Sequence, residues 1–129
     1  MREFPGFPSR IYSAMPGLHG GAYMQHPHGS AWQPPVDVFE RDDAIVVVVE
    51  LPGVEKEQIS AIVDHGILKV SGYRAKKLPD QISHVHQMEI PYGKFSRALR
   101  LPEGIDVESI EAEYQNGYLV IHIPRVPGP

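Results

Sequence analysis

Cysteine is absent from the 129-residue chain. That excludes disulfides, thiolate catalysis and cysteine-ligated zinc or iron–sulfur centres. Basic residues are outnumbered: 12 Lys and Arg stand against 16 Asp and Glu, a net charge of −4 with histidine neutral. A duplex nucleic-acid binder normally carries a basic face, so nucleic acid is not expected as a partner. No apolar run approaches the roughly 18–20 residues of a membrane span. The start, Met1-Arg2-Glu3-Phe4-Pro5, lacks a signal peptide's apolar core. Catalytic signatures are missing too: no G-x-S-x-G, no H-E-x-x-H, no phosphate-binding G-x-x-x-x-G-K-[ST] and no G-x-G-x-x-G. The carboxylate pairs Asp42-Asp43 and Glu55/Glu57 fall in turns and read as solvated charge. A small, soluble, cytoplasmic, non-enzymatic protein without cofactor is the expectation.

What is abundant is turn formers, 12 Gly and 13 Pro, and they are unevenly placed. Residues 1–35 hold six Pro and five Gly but only three charged side chains, Arg2, Glu3 and Arg10. So many breakers leave no helical or strand period, and the segment reads as a poorly ordered arm. Ordinary disorder is polar and charged, whereas this arm carries five of the chain's eleven aromatics and three of its four methionines. Aromatic and Met side chains on an arm that cannot fold alone suit adaptable binding. The candidates are Phe4, Phe7, Ile11, Tyr12, Met15, Leu18, Tyr23, Met24 and Trp32. The edges and groove around 46–48 and 119–121 are a second candidate surface.

From Val36 onward, short apolar runs alternate with turns. Strands are expected over 36–39, 44–50, 59–64, 67–72, 84–90, 95–101, 110–115 and 118–123. The run Ile45-Val46-Val47-Val48-Val49 is β-branched throughout, which predicts a strand buried on both faces. His65-Gly66 and Asn116-Gly117 each read as a two-residue hairpin connection. About eight strands and no helix of ten residues predict an all-β antiparallel sandwich or barrel. The expected division is an arm (1–35), a folded domain (36–124) and a short tail (125–129).

Four blocks within this domain carry a family resemblance. Ala112-Glu113-Tyr114-Gln115-Asn116-Gly117-Tyr118-Leu119 matches the pattern A-x-x-x-N-G-x-L. Leu51-Pro52-Gly53-Val54, Leu68-Lys69-Val70-Ser71-Gly72 and the stretch from Gly93-Lys94-Phe95 to Arg100-Leu101-Pro102 supply the other three. In order and spacing the segment resembles the α-crystallin domain of the small heat-shock proteins. The resemblance implies an immunoglobulin-like sandwich and an ATP-independent holdase that keeps partly unfolded client proteins from aggregating. It also implies a homodimer built by exchange of a loop strand, here 73–83, with Leu78 and Ile82 docking on a partner sheet and Arg100 at the dimer interface.

The family's tail motif [IV]-x-[IV] is missing after the last strand. Ile121-His122-Ile123 has the spelling but lies within that strand, so the dimer is expected ahead of large oligomers. His26-Pro27-His28 and His84-Val85-His86 are each only two ligands, short of the roughly four a structural zinc site needs. No metal is expected; His84 and His86 are read as hydrogen-bonding or pH-responsive groups. The alternative reading is a sandwich-type co-chaperone or adaptor that binds one defined protein.

Overall fold

The computed structural model describes residues 2–3 and 31–127. Eight strands form two four-stranded antiparallel sheets. One runs in the order β1 (Arg2–Glu3), β4 (Ile59–Asp64), β5 (Ile67–Arg74), β6 (Gly93–Arg100). The other runs β2 (Val36–Glu40), β3 (Ala44–Glu50), β8 (Tyr118–Pro124), β7 (Glu111–Gln115). No α-helix occurs among the described residues; two single 3-10 turns, Lys56–Gln58 and Val107–Ser109, sit in connections. The sandwich expected from the strand spacing is the fold observed.

Period-2 alternation builds the core. Ile45, Val47 and Val49 of β3 and Leu119, Ile121 and Ile123 of β8 are buried, and they join Ala61, Val63, Leu68, Val70 and Phe95 of the facing sheet in one cluster. Each of these side chains larger than alanine contributes about 1.5–3 kcal/mol by leaving water. The prediction for β3 needs correction: Val46 and Val48 are only half-buried. The sheet has one core face and one outer face, so the unbroken valine run reflects β propensity and not burial on both sides.

Both hairpins form as expected. His65 and Gly66 have φ of 52° and 76°, and Asn116 and Gly117 have 55° and 85°, the doubly left-handed geometry of a tight turn matched to strand twist. The Asn116-Gly117 turn also approaches the Leu51-Pro52-Gly53 turn. The Leu51 amide donates to the Gly117 carbonyl at 2.7 Å, and a Cβ on Gly117 would lie 3.0 Å from Pro52 Cα. Two motifs 65 residues apart in sequence are thus one packed corner.

The largest departure concerns 73–92. β5 continues through Tyr73 and Arg74, which pair with Lys94 and Gly93, so the excursion spans 75–92 and not 73–83. The strand expected over 84–90 is not formed: this stretch is irregular and exposed. It has strand texture, but no described strand of the chain lies beside it. A strand needs a partner for its backbone N–H and C=O groups.

Candidate functional site

Trp32 corrects the arm reading. It is 3% exposed and belongs to the core cluster, so it is not available as client surface. Its amide donates to the Lys94 carbonyl and its own carbonyl accepts from the Ser96 amide, both at 3.0 Å, which closes part of the β6 edge. The indole packs on Phe95 with ring centroids 5.5 Å apart and donates Nε1–H to the Gly93 carbonyl. The other arm candidates, Phe4, Phe7, Ile11, Tyr12, Met15, Leu18, Tyr23 and Met24, lie outside the described residues.

Arg74 is the residue that sequence reasoning missed. It ends β5 on the core face and is 9% exposed. Its guanidinium donates to the Pro91 carbonyl through Nη2 (2.6 Å) and Nε (3.1 Å), and to the Pro52 carbonyl through Nη1 (3.0 Å). It also lies 4.3 Å above the Trp32 ring and 5.9 Å from that of Tyr92. Burial holds its pKa below the ordinary arginine value, while Tyr92, Tyr114 and Glu50 favour the charged form. One side chain therefore joins the two roots of the 75–92 loop, the Pro52 turn and the segment leading into β2. The alternation Leu68, Val70, Gly72, Arg74 was the available signal, since period 2 puts all four on one face.

From these roots the loop extends outward and presents apolar surface. Leu78 (50%), Ile82 (44%), Val85 (61%), Met88 (47%) and Ile90 (62%) are all substantially exposed. They line one shallow open groove with Pro79 and Tyr92. Arg100 is exposed at the end of β6 opposite Ile67, on the face that also carries Ser96 and Ala98. His84 and His86 are exposed on the loop, and no group of three or more His, Asp or Glu among the described residues is placed to hold a metal ion. No described helix is long and apolar enough to cross a membrane. On β2, Val38 and Phe39 are 53% and 52% exposed.

Of the motif residues, Leu51, Phe95 and Leu119 are core and Ala112 is half-buried. Gly53 and Gly93, like Gly117, occupy turn or strand-end positions with positive φ, 78° and 93°. Tyr114 Oη donates to the Leu51 carbonyl at 2.5 Å. Burial raises the Tyr114 pKa above its ordinary value, against the backbone of Val54 and the charge of Arg74, which lower it. Most of the motif thus builds the sandwich, and the interaction surfaces lie elsewhere.

These features define an immunoglobulin-like sandwich that carries an unpaired, apolar loop between two strands of one sheet. The model of the Hsp20/alpha crystallin family matches residues 37–129, and the chain belongs to this family of small heat-shock proteins, which act as chaperones. The 16.9 kDa class I heat shock protein 1 of Triticum aestivum is 37% identical over 114 residues, 88% of this chain and 74% of that protein. A small heat-shock protein from Xylella fastidiosa, described as having a distinct high order structure, superposes with a TM-score of 0.69 at 33% identity, over 78% of this chain and 92% of that one. The hspA protein of Xanthomonas axonopodis gives 0.69 at 34% identity, over 78% and 100%. The chain spans 23% of the length of a Dictyostelium discoideum heat shock protein to which it is 35% identical, and 74% of the Triticum aestivum protein.

Proposed function

We propose that this protein is an ATP-independent holdase that captures partly unfolded proteins and works as a homodimer assembled through the 75–92 loop. Family membership supports the holdase reading. The observation that carries the dimer is the loop itself: strand-textured sequence over 84–90, five exposed apolar side chains and no described strand beside it. Such a segment exposes unpaired backbone groups and apolar area together, and adding it to the sheet edge of a second copy satisfies both. The β2 edge, with Val38 and Phe39 half-exposed, is the complementary feature. Leu78 and Ile82 lie in the first half of the loop, and the family resemblance supports adding Arg100, at the far end of β6, to the same subunit contact.

On this reading the strand to be exchanged is 84–90, with Leu78 and Ile82 docking beside it. Clients are bound by the arm residues Phe4 to Met24, which supply adaptable aromatic and Met surface. Larger assemblies and a cytoplasmic setting belong to the same reading.

The test has three arms. Several unrelated proteins are heated with near-stoichiometric amounts of this chain in the absence of ATP, and light scattering is followed. Protection of all of them is expected; protection of a single protein indicates a dedicated adaptor instead. Native mass spectrometry of Val85→Asp/Ile90→Asp is expected to show monomer where the parent shows dimer. An unchanged dimer refutes assembly through the loop. Deleting residues 1–30, which spares Trp32, is expected to weaken protection, and full activity in that variant refutes the arm as client surface.

A further inference from the structure

The two outer faces of the sandwich differ in charge. In the β2-β3-β8-β7 sheet, register places Asp37, Val48, Val120 and Glu113 in one row across all four strands. The row reads acid, apolar, apolar, acid, with both carboxylates exposed and both valines half-buried. The next row keeps valine on β3 and the acid on β7 but has Phe39 on β2 and His122 on β8: Phe39, Val46, His122, Glu111. No outward position of these four strands carries Lys or Arg. The arginines at the turn end of the sheet are engaged, Arg41 with Asp43 and Arg125 with Glu40. The other sheet's outer face carries Lys69, Lys94 and Arg100 instead.

We propose that the outer face of the β2-β3-β8-β7 sheet is a docking surface for client segments in which a short apolar stretch is flanked by Lys or Arg. This deepens the holdase reading and rests on it for its biological role. Three interstrand steps of about 4.8 Å separate Asp37 from Glu113, about 14 Å, which four or five extended residues cover at about 3.3 Å each. An apolar stretch of that length can lie on Val48 and Val120 while its flanking cations meet the two carboxylates. Aggregation-prone segments are commonly bracketed by charged gatekeeper residues. A carboxylate-bordered apolar row selects the basic-bracketed class and repels the acidic one.

The experiment uses the full chain and two labelled peptides with the same short Val/Ile/Phe core, one flanked by lysines and one by glutamates. Fluorescence anisotropy at low salt should favour the lysine-flanked peptide by roughly tenfold, from two exposed ion pairs gained against two repulsions. The preference should fade as salt screens it. Asp37→Lys/Glu113→Lys should invert the preference, while Glu57→Lys, an equally exposed site in a remote 3-10 turn, should leave it unchanged. Methyl NMR on the unmodified protein gives a readout independent of variant folding: Val46, Val48 and Val120 signals should shift on titration with the lysine-flanked peptide.

Equal affinity for the two peptides overturns the proposal. So does an equal effect of Glu57→Lys, which would assign any preference to net charge, or valine signals that stay fixed. Loss of oligomer mass in Asp37→Lys/Glu113→Lys without a change in peptide preference also overturns it, by giving the face to a second copy. Aggregation suppression by the unmodified protein is scored separately. Suppression without selectivity sinks this surface and leaves the holdase reading, and selectivity without suppression does the reverse.

Discussion

Replacing Arg74 by alanine tests whether one guanidinium holds the loop roots to the sandwich. The substitution removes three donors that serve two carbonyls, Pro91 and Pro52, and exposes the Trp32 face it covers at 4.3 Å. Hydrogen bonds from a charged donor are worth about 1.5–3 kcal/mol, and abandoned buried acceptors add their desolvation cost. Stacking on the indole contributes about 0.5–2 kcal/mol. The effects overlap, so the expected loss is about 3–5 kcal/mol, large against a total stability of about 5–15 kcal/mol. Trp32 is the chain's single tryptophan, so its fluorescence in a urea titration reports this site directly. The midpoint should fall, the emission of the folded state should shift, and loop amides should exchange faster with solvent. Arg74→Lys should recover less than half of the loss, because an ammonium cannot reach two carbonyls and stack at once. A loss below about 1 kcal/mol with unchanged emission refutes the clamp, since it lies under what even one such hydrogen bond contributes.

Three further outcomes are expected. At Gly72 a Cβ would lie 2.0 Å from the Gln58 carbonyl oxygen and 2.6 Å from Phe95 Cζ, so Gly72→Ala should cost at least about 1–3 kcal/mol as overpacking, read by thermal melting. Tyr114→Phe should cost about 1–2 kcal/mol by abandoning the Leu51 carbonyl. The Tyr114 pKa is raised by burial, so its protonated form is the one folding favours. Its contribution is therefore complete below about pH 10 and lost as pH rises through its raised folded value. The stability gap between parent and Tyr114→Phe should then narrow in alkaline urea titrations, and a constant gap refutes that cause. Arg100→Ala should weaken or reshape the proposed dimer; unchanged native mass together with unchanged client protection would remove Arg100 from the interface.

The sandwich was legible because both of its determinants are local. Alternation marks which side chains face inward, and Asn116-Gly117 and His65-Gly66 carry the backbone freedom their turns require. What escaped depends on neighbours that are remote or lie outside the chain. Val46 and Val48 look as apolar as Val47 and Val49, and only the sheet's outer face distinguishes them. The 84–90 stretch reads as a strand because its residues suit one, yet pairing is a property of two segments and no described strand supplies the second. Trp32 sits among Gly and Pro and so shares the arm's composition, while its burial comes from Phe95 and Arg74, over 40 residues away. Arginine usually marks a wet face, so residue type alone hides Arg74. Its place in the Leu68-Val70-Gly72 alternation outweighs its residue type.

On the proposed assembly, the exposed apolar surface divides into two kinds with different fates. The loop side chains and the β2 edge are complementary and occur once each per chain, so two copies related by a two-fold axis satisfy both pairs and leave no open end. That closure makes it safe for a chaperone to carry an unpaired strand: the adhesive element is consumed by symmetry and does not recruit further copies. At the other end of the same sheet, β7 keeps its edge polar with Glu111, Glu113 and Gln115 exposed, a common means of discouraging edge-to-edge growth. Two of those carboxylates also border the outer-face rows proposed to receive basic-flanked clients. The same charges would thus exclude further copies of an acidic chain and admit the client class of opposite sign. Reversing them should weaken both effects together, and a Glu111→Lys/Glu113→Lys chain that loses client preference yet shows no added tendency to self-associate at high concentration would separate the two roles.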